Sequence, residues 1–249
     1  MVNYGILKPY QLCFFVDAKR LEPEPKIISK LVNELSGESE SFIPRTFQEI
    51  GVVNSQRLGL RSLDNHWEIA IGTDRINIEW RPTFTKDGPE LSVPKNFEAK
   101  CTEFLGIIYP LVGKKGYRLS YIGGGLFPEM SNDELDSNLE KLLIPPPFYS
   151  KNVPFEWNSR FVASKEITIA RRKESLNVIT TIDRIAGQIV TPSGNQRFDR
   201  IELSFDINTK APNDSERFLP THFKEFYTKT EEIRISIATE IENVINSKN

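Results

Sequence analysis

The chain is poor in the residues that most often carry chemistry. Its 249 residues include two histidines, His66 and His222, and two cysteines, Cys13 and Cys101. Neither histidine has a second His or a Cys at ligand spacing, so the pattern of a zinc site is missing. A triad built on His66 would need a nucleophile, and the nearby Ser55 and Ser62 belong to no catalytic motif. There is no Gly-x-Ser-x-Gly elbow and no Walker loop. The run Gly123-Gly124-Gly125 continues as Leu126-Phe127-Pro128, which breaks a dinucleotide fingerprint and reads as a flexible exit from a strand.

An excess of one charge is lacking too. Lys and Arg number 32 against 34 Asp and Glu, a formal net charge of -2. A dedicated nucleic-acid binder usually carries a clear basic excess, so that class is disfavoured. No apolar run approaches the roughly 20 residues of a membrane span, and no basic-then-apolar leader opens the chain. Cys13 and Cys101 sit in apolar settings, which predicts buried free thiols in a reducing compartment. The expected location is the cytoplasm. The sequence specifies no catalytic residue, no metal ligand and no cofactor.

What the chain does have is periodicity. Ile201, Leu203, Phe205 and Ile207 alternate with Arg200, Glu202, Ser204 and Asp206, the signature of an antiparallel strand packed on one face. Downstream, Phe223, Phe226, Tyr227, Ile233, Ile237, Ala238, Ile241, Val244 and Ile245 step by three and four along a long helix. The same order occurs earlier. Asp74 to Trp80 echoes Asp199 to Phe205 at an offset of 125 residues, and Phe97, Cys101, Phe104, Leu105, Ile108, Leu111 and Val112 form a second helical stripe. The expected class is therefore α+β. It has two pseudo-repeated units, 1–147 and 148–249, each an antiparallel sheet covered by a long amphipathic helix. The two can pair into one extended sheet or form one continuous domain.

Further elements fill in between. Residues 10–18 predict a buried strand, and Glu22-Pro23-Glu24-Pro25 opens a helix with Ile27, Ile28, Leu31, Val32 and Leu35 on its stripe. Glu38 to Ser41 reads as an acidic loop. Residues 57–80 predict a meander with turns at Asp64-Asn65 and Gly72-Thr73-Asp74. Lys114-Lys115-Gly116 is the expected cap of the second helix, and Tyr117 to Ile122 a strand. Ser131-Asn132-Asp133-Glu134 predicts a capping box, and Pro145-Pro146-Pro147 marks the boundary between units. Strands are expected at about 154–170 and 175–185, joined by Arg171-Arg172-Lys173-Glu174, with a further turn at Ser193-Gly194-Asn195.

Arg and Trp on strands are favoured at protein interfaces, which singles out Arg75, Trp80, Arg81, Arg171 and Arg172 as candidate binding residues. Arg57 and Arg61 join the first cluster, although Glu68 and Glu79 interleave with it. Glu202 and Asp206 share one strand face about 13 Å apart, too far for paired-carboxylate glycosidic chemistry. Glu79 and Asp206 could meet across paired units and suggest a magnesium site.

Ile78-Glu79-Trp80-Arg81, followed by the long helix and a second strand–helix ending, resembles a sporadically distributed bacterial family of similar length to which no activity is assigned. Trp80 and Arg81 are its motif positions in this chain, with Glu79 standing where a neutral polar residue is expected. The resemblance covers nearly the whole chain and supplies no catalytic residues. Its sporadic distribution implies traffic with mobile elements and a role in genome conflict or defence.

Three functions follow as expectations. The first is a non-enzymatic cytoplasmic interaction protein that binds a protein partner or itself through a sheet face or edge. The alternative is a module for a small-molecule or lipid-like ligand, held in a cavity between sheet and helix. The third is a metal-dependent phosphate hydrolase. Nucleic acid and membrane are not expected partners.

Overall fold

The structure is a computed structural model that describes residues 2–37, 41–49, 56–85, 88–191, 194–210 and 215–247. Residues 38–40 of the expected acidic loop, the candidate Ser55 and the turn residue Ser193 lie outside the described residues. The elements in chain order are β1 (Ile6–Leu7), β2 (Tyr10–Phe15), α1 (Pro25–Leu35), β3 (Phe42–Gln48), β4 (Gln56–Ser62), β5 (Trp67–Ile71), β6 (Arg75–Trp80), β7 (Phe84–Thr85) and β8 (Gly88–Pro89). There follow α2 (Phe97–Val112), β9 (Arg118–Leu126), α3 (Asn132–Leu142), α4 (Pro147–Lys151), β10 (Trp157–Ile169), β11 (Arg172–Thr191), β12 (Gly194–Thr209) and α5 (His222–Asn246).

The chain is thus α+β. Ten strands form an antiparallel sheet in the order β10-β11-β12-β9-β2-β6-β5-β4-β3, with β1 also on β9, and β7 and β8 make a separate hairpin. Alternation decides which face is buried. Leu12, Phe14, Ile76, Ile78, Tyr121, Leu203, Phe205 and Ile207 share one face and join a single core with residues of α1, α2, α3 and α5. The opposite face carries Gln11, Asn77, Glu79, Ser120, Asp206 and Asn208, by register with their neighbours.

Local chemistry explains most helix ends. Pro25 occupies the first turn of α1, where its missing N–H costs nothing, and Leu31 and Leu35 bury one helical turn apart. Ser131 and Glu134 exchange hydrogen bonds at the start of α3, completing the expected capping box. The cap of α2 differs from expectation. Gly113, at φ 67, takes the left-handed position that ends the helix, and Gly116 instead bridges Phe218.

The three glycines also differ from expectation. β9 runs straight through Gly123, Gly124 and Gly125 rather than ending before them. The reason is crowding, not flexibility. A Cβ on Gly123 would lie 2.7 Å from the Tyr10 ring, and one on Gly124 (φ 156) would strike the Leu203 carbonyl oxygen. Glycine lets β9 lie against its neighbours at this crossing.

β9 belongs to residues 1–147 yet pairs with β12 as well as β2, so the sheet does not break at 147. Its two edges are unlike. β3 is seven residues long and contains Pro44, whereas β10 is thirteen residues long and contains no proline. β10 returns to β11 through Ala170 (φ 50) and Arg171 (φ 63), consecutive left-handed residues that match the twist of a tight hairpin.

Candidate functional site

The five predicted binding residues do not form one cluster. Arg75 is exposed, and its guanidinium lies 5.9 Å from the centroid of Phe15, with Arg118 at 4.8 Å from the same ring. Trp80 is 2% exposed: it points inward with Ile76 and Ile78, and its ring stacks on His66 at 6.0 Å. That burial makes it a core residue rather than a contact surface. Arg81 is tied to Glu79 and, at 3.2 Å, to Glu68. Arg171 and Arg172 are exposed at the β10–β11 turn, on the far side of the sheet from β6. Arg57 is buried and donates to the carbonyls of Lys19 (3.3 Å) and Leu21 (3.4 Å), a structural task.

The polar sheet face has its own internal bonds. Ser120 donates to Asp206 (2.8 Å), as does the Asn208 amide (2.9 Å), and Asn177 donates to Asn208 (3.2 Å). Glu79 stands in register with Gln11, Gln11 with Ile122, and Ile122 with Asp206. Two strands therefore separate the carboxylates expected to approach one another, a span of roughly 14 Å. Cys13 lies on this face between Asn77 and Ser120, and burial pushes its thiol up to about 12. Cys101 is raised by burial in the same way, and both cysteines are free.

Between sheet and helices the space is filled. Tyr10, Phe14, Phe97, Phe104, Tyr121, Phe205, Phe223 and Phe226 are each at most 2% exposed. A polar network sits within this aromatic layer. The Tyr121 hydroxyl donates to Glu231 (2.7 Å), and Arg234 donates to both Glu231 oxygens at 2.7 Å. The Arg234 guanidinium lies 5.7 Å from the Tyr10 ring centroid, and the Tyr121 and Tyr227 rings meet edge-on at 5.2 Å. Burial pushes the Tyr10 phenol up to about 12 and raises Tyr4, Tyr121 and Tyr227 as well, so these phenols stay protonated at neutral pH. A carboxylate closed by its own guanidinium and a phenol is not free to abstract a proton. The network pins α5 to β9 and β2. Sequence reasoning missed it, although Glu231 and Arg234 fall one helical turn apart within the apolar stripe of α5.

A cleft of about 520 Å³ lies where α3 meets the end of α5 and includes Asn138, Lys141 and Glu242. Lys141 donates to the carbonyls of Ile245 and Ser247, and Glu242 accepts from the Asn3 amide, while the buried Asn138 Oδ1 has no hydrogen-bond partner.

The open side of the molecule is the β10 edge. Phe161 is 50% and Val162 54% exposed, in the middle of the strand. Just before it, Ile144, Phe148 and Phe155 are 99%, 67% and 80% exposed. A cleft of about 420 Å³ runs beside them, lined by Leu139, Leu143, Pro146, Tyr149 and Trp157. Apolar surface and an unpaired strand edge coincide here, which is unusual for a protein that works alone. Arg184 holds this corner in place through Asp136 (2.7 Å) and Asp199 (3.0 Å).

Among the described residues, no group of three or more His, Cys, Asp or Glu is placed to hold a metal ion, and no helix is long and apolar enough to cross a membrane. Compared with known protein families and with curated proteins, the chain matches no family model and no curated sequence.

Proposed function

We propose that this is a non-enzymatic interaction protein, which engages a protein partner or a copy of itself through the free β10 edge. The observation that carries this is the coincidence of a thirteen-residue edge strand with half-exposed Phe161 and Val162 and the exposed Ile144, Phe148 and Phe155. Strand edges recruit further strands through their unpaired main-chain groups, and apolar side chains beside them add affinity.

We infer a repeated architecture whose boundary lies before β9 rather than at 147: β2, α1, β3 to β6 and α2 are repeated, with one strand fewer, by β9, α3, β10 to β12 and α5. In each unit the first strand lies beside the last, β2 next to β6 and β9 next to β12, and the strand after the first helix ends at a sheet edge. The two edges then correspond in position and differ in chemistry. Pro44 removes a main-chain donor from β3, while β10 keeps all of its donors. Two buried free thiols support a reducing setting, the cytoplasm in the first instance.

Light scattering on the full chain over a wide concentration range, run beside affinity capture, tests this. Assembly or a captured partner is expected, and both should be lost in a Val162→Lys, Phe155→Ser variant that keeps its circular dichroism. A chain that stays monomeric and captures nothing refutes the proposal, and so does an assembly indifferent to both substitutions.

A further inference from the structure

Building on the β10 edge as the interaction surface, we propose that the partner is a second copy of this chain, joined by antiparallel pairing of β10 with β10 about a two-fold axis at Ala163. A closed pair of identical strands must run antiparallel, since the two-fold axis reverses direction. β10 spans Trp157–Ile169, and Ala163 is its middle residue, so this register uses every residue of the strand. The pairing is about 43 Å long by strand rise and carries roughly a dozen main-chain hydrogen bonds, as many as a whole standard interface.

The side chains choose the register. With the axis at Ala163, Arg160 of each copy faces the partner's Glu166, giving two ion pairs on the polar face. Within the chain these residues stand beside Thr181 and Ser175 of β11, which offer them no opposite charge. Moving the axis one residue to Val162 sets Arg160 against the partner's Ser164. Moving it to Ser164 sets Arg160 against the partner's Thr168 and leaves Glu166 against the partner's Val162. Neither alternative pairs a charge. At Ala163, Phe161 also meets the partner's Lys165, whose methylene stem can cover the half-exposed ring while the ammonium reaches water. Beyond Trp157 the partner's turn with its exposed Arg171 extends toward Glu156 and Phe155, an acidic and an aromatic neighbour for a cation. The product is a sheet of ten strands in each copy, continuous across the axis.

Ala163→Cys in the full chain gives a direct test, because an exposed thiol at the axis faces itself. The native Cys13 and Cys101 are buried with raised pKa values and keep the background low. Under oxidised glutathione, Ala163→Cys should form a reducible covalent dimer, and Leu63→Cys, exposed elsewhere, should not. Arg160→Glu and Glu166→Arg should each weaken dimerisation about tenfold or more, since like charges then oppose one another twice. The double variant should restore it. A dimer that tolerates both single reversals and gives no link at Ala163 overturns this pairing while leaving β10 a docking edge for another protein. A monomer that captures nothing removes both.

Discussion

Glu174 and Arg217 make the most informative perturbation of the fold. Arg217 donates from Nε (2.8 Å) and Nη2 (3.0 Å) to the two Glu174 oxygens, and its Nη1 reaches the carbonyls of Tyr117 and Ser215. Its guanidinium lies 4.4 Å from the Phe218 ring centroid. The side chains are 4% and 7% exposed, so this is a buried pair that ties β11 and the start of β9 to the segment leading into α5. Glu174→Gln removes the carboxylate that Nε and Nη2 address while the guanidinium stays buried. Breaking a buried pair from one side costs about 3–5 kcal/mol. For a chain of this size each kcal/mol moves Tm by about 2–4 °C, so Tm should fall by roughly 6–20 °C. Guanidinium titrations followed by circular dichroism should show a lower midpoint at unchanged slope. Glu174→Leu with Arg217→Met removes both charges and should lose less than Glu174→Gln alone. A loss below about 1 kcal/mol for Glu174→Gln, the range of an exposed ion pair, would refute the buried character of this contact.

Two further predictions address separate parts of the fold. Gly124→Ala drives a Cβ into the Leu203 carbonyl oxygen and to 2.8 Å from the Ser204 Cα, and should cost about 3 kcal/mol or more, whereas Gly106→Ala in α2 meets nothing within 4 Å and should stabilise by about 0.5–1 kcal/mol. Equal effects in urea titrations would contradict the crowding at β9. Burial lowers the pKa of His222, whose Nδ1 accepts from the Leu219 amide at 3.2 Å and must be neutral to do so. The unfolded chain takes up this proton first, at about pH 6.5, so stability is full above that pH and declines as pH falls below it. His222→Gln should flatten thermal melts compared between neutral pH and about pH 5, and an unchanged slope would refute the role.

Legibility in the sequence follows how much each element is governed by one-sided burial. β12 was readable because Ile201, Leu203, Phe205 and Ile207 are all at most 1% exposed while their alternates face the polar side. β3 was missed for the opposite reason. From Ile43 to Thr46 it is exposed on both faces, so no alternation is imposed, and Pro44 reads as a break. In α5 the stripe held for Phe223, Phe226, Ile233, Ala238 and Ile245, but Val244 is 38% exposed and the buried set includes Thr230 and Arg234. Polar residues enter that stripe because Thr230 bonds back to the Phe226 carbonyl (3.0 Å) and Arg234 donates from Nε and Nη2 to Glu231, although its Nη1 is left without a partner. The glycines of β9 misled because a missing side chain signals looseness or close approach equally well, and only the neighbours decide. The Arg and Trp candidates show the same limit. Trp80 obeys the inward alternation of β6 and is consumed by the core, while Arg171 is placed at the exposed end of β10 by a turn whose left-handed backbone had no glycine to announce it.

β9 has one more consequence, for how the molecule comes apart. It is hydrogen-bonded on one side to β2 and on the other to β12, so loss of this one strand breaks the ladders of both flanks together. Trp67 and Trp80 report from one flank and Trp157 from the other. Their fluorescence should therefore vanish at a single denaturant midpoint, the mark of one cooperative unit in a chain whose length would allow two.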